Sequence, residues 1–405
     1  MDKEIGWYDR SAFYRLRARV SVFLFCCSIL IFPILCLVYY TSLFIYPLFL
    51  MIFGRPIADA YSCYCFLVIL LYTIYWIWDV ETPYRGGRRV MCVAKLFFWK
   101  WMAQYFPIRL VASKELQNWA REQGQGVGEK GAIIHLPTSV NYLLGYHPHG
   151  LLAVGMLMTC GVDPLNFFQV FPGIKPHMAT LNVHYKVPFY RECAMLAGGV
   201  SVSQESLIYL LDKEVTGRTG NLVAVSVGGA AESLESRPGH YVLMLSRRRG
   251  FFRMALRTGA YLIPSIGFGE TSMYDQVANP MGSALRKLQD WFTHIFTLAP
   301  PLFYSTRVIP YRKPLTVVGK IVGSLKHYPC DLSSIVYLQC LHLMLLMEVM
   351  RRQGYVGRPI MCKRIPFPTE EEINNLREEY KQELREMFNR YRPLYDPTAE
   401  DIRFF

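Results

Sequence analysis

Two histidines separated by one proline close an apolar run: "YLLGYHPHGLLAVG", Tyr142 to Gly155, carries His147 and His149 on a short polar break between two segments suited to burial. Two imidazoles there could ligate a metal, serve as hydrogen-bonded core groups, or move a proton. Metal ligation needs further donors, and the other candidates, His177, His184 and Glu232, stand at no recognised metal-site spacing. The core reading is weakened by position, because a strand-to-loop corner is where a base is normally presented. A serine nucleophile is disfavoured: the nearest approach to a G-x-S-x-G elbow is "AVSVGG" around Ser226, which lacks the first glycine. The pair Gly228 and Gly229 could aim backbone N–H groups at an oxyanion or a phosphate, with Glu232 one helical turn further on, although a plain turn would use the same residues.

These residues need elements to hold them. "SVNYLLGY" reads as a buried strand feeding the histidines and "LLAVGMLMTC" as a helix leaving them, while "NLVAVSV", Asn221 to Val227, is a second buried strand running into "GGAAESL". "GFFRMALRTGA" has helical spacing, and "YLIPSIGFGE" is a strand closing in a glycine turn. Strands alternating with helices predict an α/β sheet, whose ligands bind beyond the carboxyl ends of the strands, where the HPHG and GGAAE segments fall. The domain is expected over 131–405, after the polar linker "REQGQGVGEKG" (121–131). Near its end, "TEEEINNLREEYKQELREMFNRY", Thr369 to Tyr391, predicts a capped amphipathic helix that docks Ile373, Leu376, Tyr380, Leu384 and Phe388 on the domain or on a membrane.

The chain has 405 residues, 52% of them hydrophobic and 15% aromatic, more than a soluble domain usually carries, so a membrane component is expected. Two uncharged apolar stretches, 21–53 and 60–78, form a transmembrane or re-entrant hairpin over 21–78, with Pro33 and Pro47 dividing the first. Arg10, Arg15, Arg17 and Arg19 in the basic N-terminus (1–20) and Arg85, Arg88, Arg89 and Lys95 after the hairpin predict that both ends face the cytosol. The segment 90–120 mixes aromatic and basic residues as a helix in the headgroup plane would, or a core-packed helix with snorkelling lysines. A formal charge of +13 calls for an anionic partner. Lipid headgroups or a phosphorylated cofactor fit; nucleic acid does not, since no binding module is present and the basic residues cluster beside apolar runs. Cys26, Cys27, Cys36, Cys63 and Cys65 lie within apolar stretches and no CxxC pair occurs, so buried, reduced thiols are expected.

Five ordered blocks, "GYHPHG", "VPFYRE", "VSVGGAAESL", "RRRGFFRMALRTGAYLIPSIGFGE" and "VIPYRKPLTVVG", resemble the type 2 diacylglycerol acyltransferase family, which includes monoacylglycerol and wax-alcohol acyltransferases. The resemblance spans about 133–319 and resumes near Arg358. It implies a glycerolipid-acyltransferase-like cytosolic domain on an endoplasmic-reticulum membrane enzyme, with lipid droplets as a second location. The implied reaction moves a fatty acyl group from acyl-CoA, a co-substrate rather than a cofactor, to the hydroxyl of diacylglycerol, making triacylglycerol. Monoacylglycerol or a long-chain alcohol is the alternative acceptor, and a homo-oligomer is left open.

On this reading His149 is the general base and His147 its second, with Pro148 stiffening the turn. More distant glycerolipid acyltransferases use His-x-x-x-x-Asp, but Val154 and Leu152 occupy the corresponding positions here. The partner carboxylate must come from elsewhere, Glu232 first and Glu270 behind it. Gly150, Gly228 and Gly229 would meet the oxyanion, and Arg248, Arg249 and Arg253 the CoA phosphates; Arg191 and Glu192 belong to the "VPFYRE" block. Residues 320–357 interrupt the family pattern and are read as an insertion, either a membrane-facing helix or, slightly favoured, translated intron or an isoform segment. From another class altogether, a non-enzymatic lipid-droplet scaffold would need only the apolar hairpin.

Overall fold

The apolar run that ends in the histidines becomes strand β2 (Tyr142–His147), buried on both faces as a central parallel strand should be. Leu143 points into one core; Tyr142, Leu144 and Tyr146 point into the other. This computed structural model describes residues 11–45, 48, 52, 60–110, 119–122, 133–296, 299–305, 309–312, 315–319 and 360–405. The turn "GRPIAD" (54–59), most of the 121–131 linker and the whole of 320–357 lie outside the described residues.

Among the described residues the main sheet has seven strands in the order β1-β10-β7-β2-β5-β3-β4. They are β1 (Arg109–Leu110), β2, β3 (Lys175–Thr180), β4 (Gly199–Ser201), β5 (Asn221–Ser226), β7 (Tyr261–Phe268) and β10 (Thr316–Gly319). The five strands β7-β2-β5-β3-β4 run parallel, β10 pairs antiparallel with β7, and β1 runs parallel to β10. Two short pairs lie outside this sheet, β6 (Val242–Leu243) with β11 (Arg403–Phe404) and β8 (Asp275–Gln276) with β9 (Phe303–Tyr304).

The labelled helices are α1 (Ala12–Tyr40), α2 (Ala60–Trp78), α3 (Met91–Ala94), α4 (Phe97–Tyr105), α5 (Val154–Met156), α6 (Tyr190–Leu196), α7 (Ala230–Ser233), α8 (Arg249–Thr258), α9 (Ala284–Phe296) and α10 (Glu370–Tyr395). α10 starts in a capping box between Thr369 and Glu372, and its predicted stripe is buried against the sheet together with Phe251, Phe252 and Ala255 of α8. It therefore docks on the domain.

α1 begins inside the basic N-terminus and continues through Pro33, so the proline removes a backbone donor without ending the helix. Its Ala18 and Val22 pack with Met102, Tyr105 and Phe106. Within the segment expected over 90–120, the described residues form α3 and α4, and the inner face of α4 is core. Near its end α1 meets α2, where Tyr39 bonds Thr73 (2.6 Å) and its ring touches Tyr72 and Trp76. Among the described residues one helical stretch, Phe66–Tyr84, is long and apolar enough to cross a membrane by length and composition. The described cysteines are unpaired, Cys26, Cys27 and Cys36 half-buried.

β10 carries an interruption in a regular ladder. It faces β7 from Thr316↔Phe268 to Gly319↔Ser265, a register in which position 322 would face Leu262. Ile360 faces Leu262 instead, bonded both ways (2.9 and 2.6 Å), 38 positions later. The offset equals the length of 320–357.

Candidate active site

Because β2, β5 and β7 are parallel neighbours, their carboxyl ends bring His147, the Gly228–Glu232 turn and the Gly269–Glu270 turn to one edge of the sheet. His147 is fully buried, with Nε2 3.1 Å from the Tyr380 hydroxyl and Nδ1 3.6 Å from Glu232 Oε1. The same hydroxyl donates to the Gly145 carbonyl (3.3 Å), so it accepts from His147 Nε2. Residue 145 has to be glycine, since a Cβ there would stand 2.0 Å from that hydroxyl.

His149, after a cis His147–Pro148 peptide, is only half-buried. Its Nδ1 lies 3.1 Å from the Gly150 carbonyl. A carbonyl can only accept, so Nδ1 carries the proton and Nε2 keeps its lone pair. Desolvation lowers the pKa of His149 from 6.5, against the opposing pull of the Gly150 carbonyl and Glu232. The imidazole is neutral at pH 7.

The expected partner carboxylate does something other than hold this ring. Glu232 Oε2 accepts from the backbone N–H of His149 (2.8 Å), and Oε1 from that of Met244 (3.0 Å). Gly228 permits the approach, because a Cβ there would lie 1.9 Å from Glu232 Cδ. Glu270 grips the other end of the loop: Oε1 accepts from Val154 N–H (2.8 Å), and Oε2 from Gly155 N–H (3.0 Å) and the Tyr146 hydroxyl (2.6 Å). Burial pushes Glu270 up to about 7 despite these bonds. The His149–Val154 loop is thus clamped between two buried carboxylates, and Glu270 reaches the backbone at the position where the distant relatives have aspartate.

The three arginines expected to meet CoA part company. Arg248 is half-buried and donates to the Gly228 carbonyl (2.7 Å), beside Gly229. Arg249 (3.3 Å) and Arg253 (2.8 Å) turn instead to Glu370, at the start of α10, in exposed ion pairs. Gly150 and Gly229, at φ of 60° and 57°, shape the two turns beside His149. Among the described residues no group of three or more His, Cys, Asp or Glu could hold a metal ion. His177 lies within β3 near Arg89 and Asn221, its pKa lowered to about 4 by burial.

His184 is another matter. It follows β3 in a short 3₁₀ turn, its ring meets Tyr190 (5.4 Å), and its pKa is lowered to about 4 by burial and by repulsion from nearby His149 when that ring is protonated. Sequence reasoning considered it only as a metal ligand. Tyr146 was missed altogether, and Tyr380 was seen only as part of an apolar stripe; the one available signal was a hydroxyl on each otherwise apolar face.

Arg191 and Glu192 stand apart from the histidines, where α2 joins the domain. Arg191 is fully buried and bonds Asp79 Oδ2 (3.0 Å), the Asp79 carbonyl (2.8 Å) and Glu192 (2.9 Å). Arg88 bonds Asp79 (2.9 Å), Glu192 (2.8 Å) and the Tyr75 hydroxyl (2.6 Å). The "VPFYRE" block fastens the apolar helix to the sheet domain.

The profile of the Diacylglycerol acyltransferase family matches residues 60–122 and 132–329, well over half of the chain. The chain is 33% identical to 2-acylglycerol O-acyltransferase 1 of Bos taurus, over 84% of this chain and 88% of that protein. It is 34% identical to Diacylglycerol O-acyltransferase 2 of Danio rerio (84% and 80%) and 32% identical to Acyl-CoA wax alcohol acyltransferase 1 of Homo sapiens (90% and 90%). No solved structure matches the chain.

Proposed function

Because this chain belongs to the diacylglycerol acyltransferase family, we propose that it transfers a fatty acyl group from acyl-CoA to the free hydroxyl of diacylglycerol, with His149 as general base. It is an acyltransferase, and the scaffold reading is set aside with that. The observation that carries the mechanism is the state of one ring: His149 is partly exposed, neutral, and tied through Nδ1 to Gly150 so that Nε2 is free to accept a proton. Nε2 takes the acceptor's hydroxyl proton as its oxygen bonds the thioester carbonyl carbon. The carbon–sulfur bond then breaks, and the imidazolium returns the proton to the CoA thiolate. Backbone N–H groups at Gly150, Gly228 and Gly229 meet the transient oxyanion.

His147 is too deeply buried to touch a lipid; with Tyr380 it braces the loop, as Glu232 and Glu270 do. Arg248 is the cation best situated for a CoA phosphate, since it combines partial exposure with contact to the glycine turn. The apolar N-terminal helices anchor the domain in the endoplasmic-reticulum membrane as a hairpin with both ends cytosolic. Residues 320–357 are an insertion within one strand, a reading supported by the matching register on its two sides.

The test uses membranes containing the wild type or His149→Ala, labelled acyl-CoA, and a panel of diacylglycerols, monoacylglycerols and long-chain alcohols. Triacylglycerol made by the wild type and lost in the variant is expected. Equal acylation by both proteins would remove His149 from the mechanism, and exclusive labelling of monoacylglycerol or alcohol would reassign the acceptor.

A further inference from the structure

We propose that the outward face of α9, together with the β8–β9 pair, docks into the headgroup and upper acyl layer of a lipid bilayer, giving the domain a membrane contact separate from its N-terminal helices. The proposal rests on the membrane attachment proposed above. α9 is amphipathic with the wrong face inward. Gln289, 2% exposed, accepts from Asn279 (2.8 Å) and donates to the Pro300 carbonyl (3.1 Å). Arg286, 5% exposed, pairs with Glu235 and with Asp290 (3.0 Å). On the opposite side Leu288, Trp291 and Ile295 are 60%, 58% and 51% exposed, spaced three and four residues apart on one stripe. Water selects the reverse arrangement.

On the segments that flank α9, Met281, Leu302, Phe303 and Tyr304 are exposed too, and the Gln289–Pro300 bond ties the second of these segments to the helix. Trp291 and Tyr304 have the amphipathic rings that settle at headgroup depth, and exposed Lys287 beside Leu288 suits anionic lipid. Proximity to α1 selects a bilayer over a protein partner. The Phe303 ring packs on Tyr274 (4.9 Å), whose hydroxyl meets Cys26 Sγ (3.5 Å) on α1. On that side of α1, Phe23, three residues before Cys26, is exposed as well. Through buried Tyr274, then, β9 packs against the helix that leads into the membrane, and Phe303 stays half-exposed beside it.

The test reconstitutes the full chain in phosphatidylcholine vesicles whose acyl chains are brominated close to the headgroups. Tryptophan emission of the wild type minus that of Trp291→Phe isolates Trp291. The expected component is blue-shifted, loses most of its emission to bromine, and resists acrylamide in the water phase. Quenching by acrylamide but not by bromine overturns the proposal. So does shielding from both, which would mean that protein, such as a second copy of the chain, covers this face. If bromine quenches Trp76 and Trp78 on α2 but spares Trp291, only this inference fails; if it quenches no tryptophan, membrane attachment fails as well. In Leu288→Glu the Trp291 emission should shift to the red, and an unchanged spectrum would also count against docking.

Discussion

At the carboxyl ends of the strands, Glu232 directs both oxygens to backbone N–H groups and leaves a half-exposed imidazole beside it. Where α2 meets the domain, Asp79, Arg88, Arg191 and Glu192 neutralise one another in a two-by-two network of opposite charges. Both clusters include motif residues, Glu232 in one and Arg191 and Glu192 in the other, and both bury most of their charged groups at least in part. They differ in what remains unsatisfied: the first positions a ring nitrogen with an open lone pair, whereas the second directs its charges at one another and holds two parts of the chain together. Charge and burial alone do not mark a reactive site; a group with unused bonding capacity and access to a ligand does.

If this contrast holds, substitutions in the two clusters should separate rate from stability. The largest effect is expected for His149→Ala, a fall in acylation rate of about 10²–10⁴-fold with little change in thermal unfolding. The limb of the wild-type rate that reports His149 should lie below pH 6.5, because burial favours the neutral ring and only that form accepts a proton, and a Glu270→Gln background removes the separate titration of Glu270. A limb centred above 6.5 would contradict the assigned environment. Arg191→Ala should lower stability in detergent by about 3 kcal/mol, since it leaves Asp79 and Glu192 short of a cation, yet the residual activity should keep the wild-type pH profile.

Glu232→Gln should have a mixed effect. One backbone N–H loses its acceptor at a cost of about 1–3 kcal/mol, and kcat falls because the loop carrying His149 loosens. Tyr380→Phe should be mildest, about 1 kcal/mol of stability, with a lower kcat and an unchanged acyl-CoA KM. A change in KM alone would place Tyr380 at the substrate rather than behind His147.

Much of the sheet was readable because its strands are continuous apolar runs bounded by glycine, as in "NLVAVSV" before Gly228, and the C-terminal helix because its cap and stripe are both local. The site was readable where spacing within a segment mattered. His149 fell on the accessible corner and Glu232 within reach of its loop. Contacts between distant segments were not readable: Tyr380 lies 233 positions from His147, and the pairing of Arg249 and Arg253 with Glu370 depends on how α8 and α10 cross. The division of labour between Glu232 and Glu270 was hidden for the same reason, since both act on backbone atoms, which carry no sequence signature.

The ladder on β7 has a consequence for how this gene product can vary. With Gly319 and Ile360 in one unbroken register, a single peptide bond from Gly319 to Arg358 would carry the strand straight on to Leu262. A chain without residues 320–357 would therefore keep the pairing of Ile360 with Leu262, and Tyr380 would still arrive behind the His149 loop from the same direction.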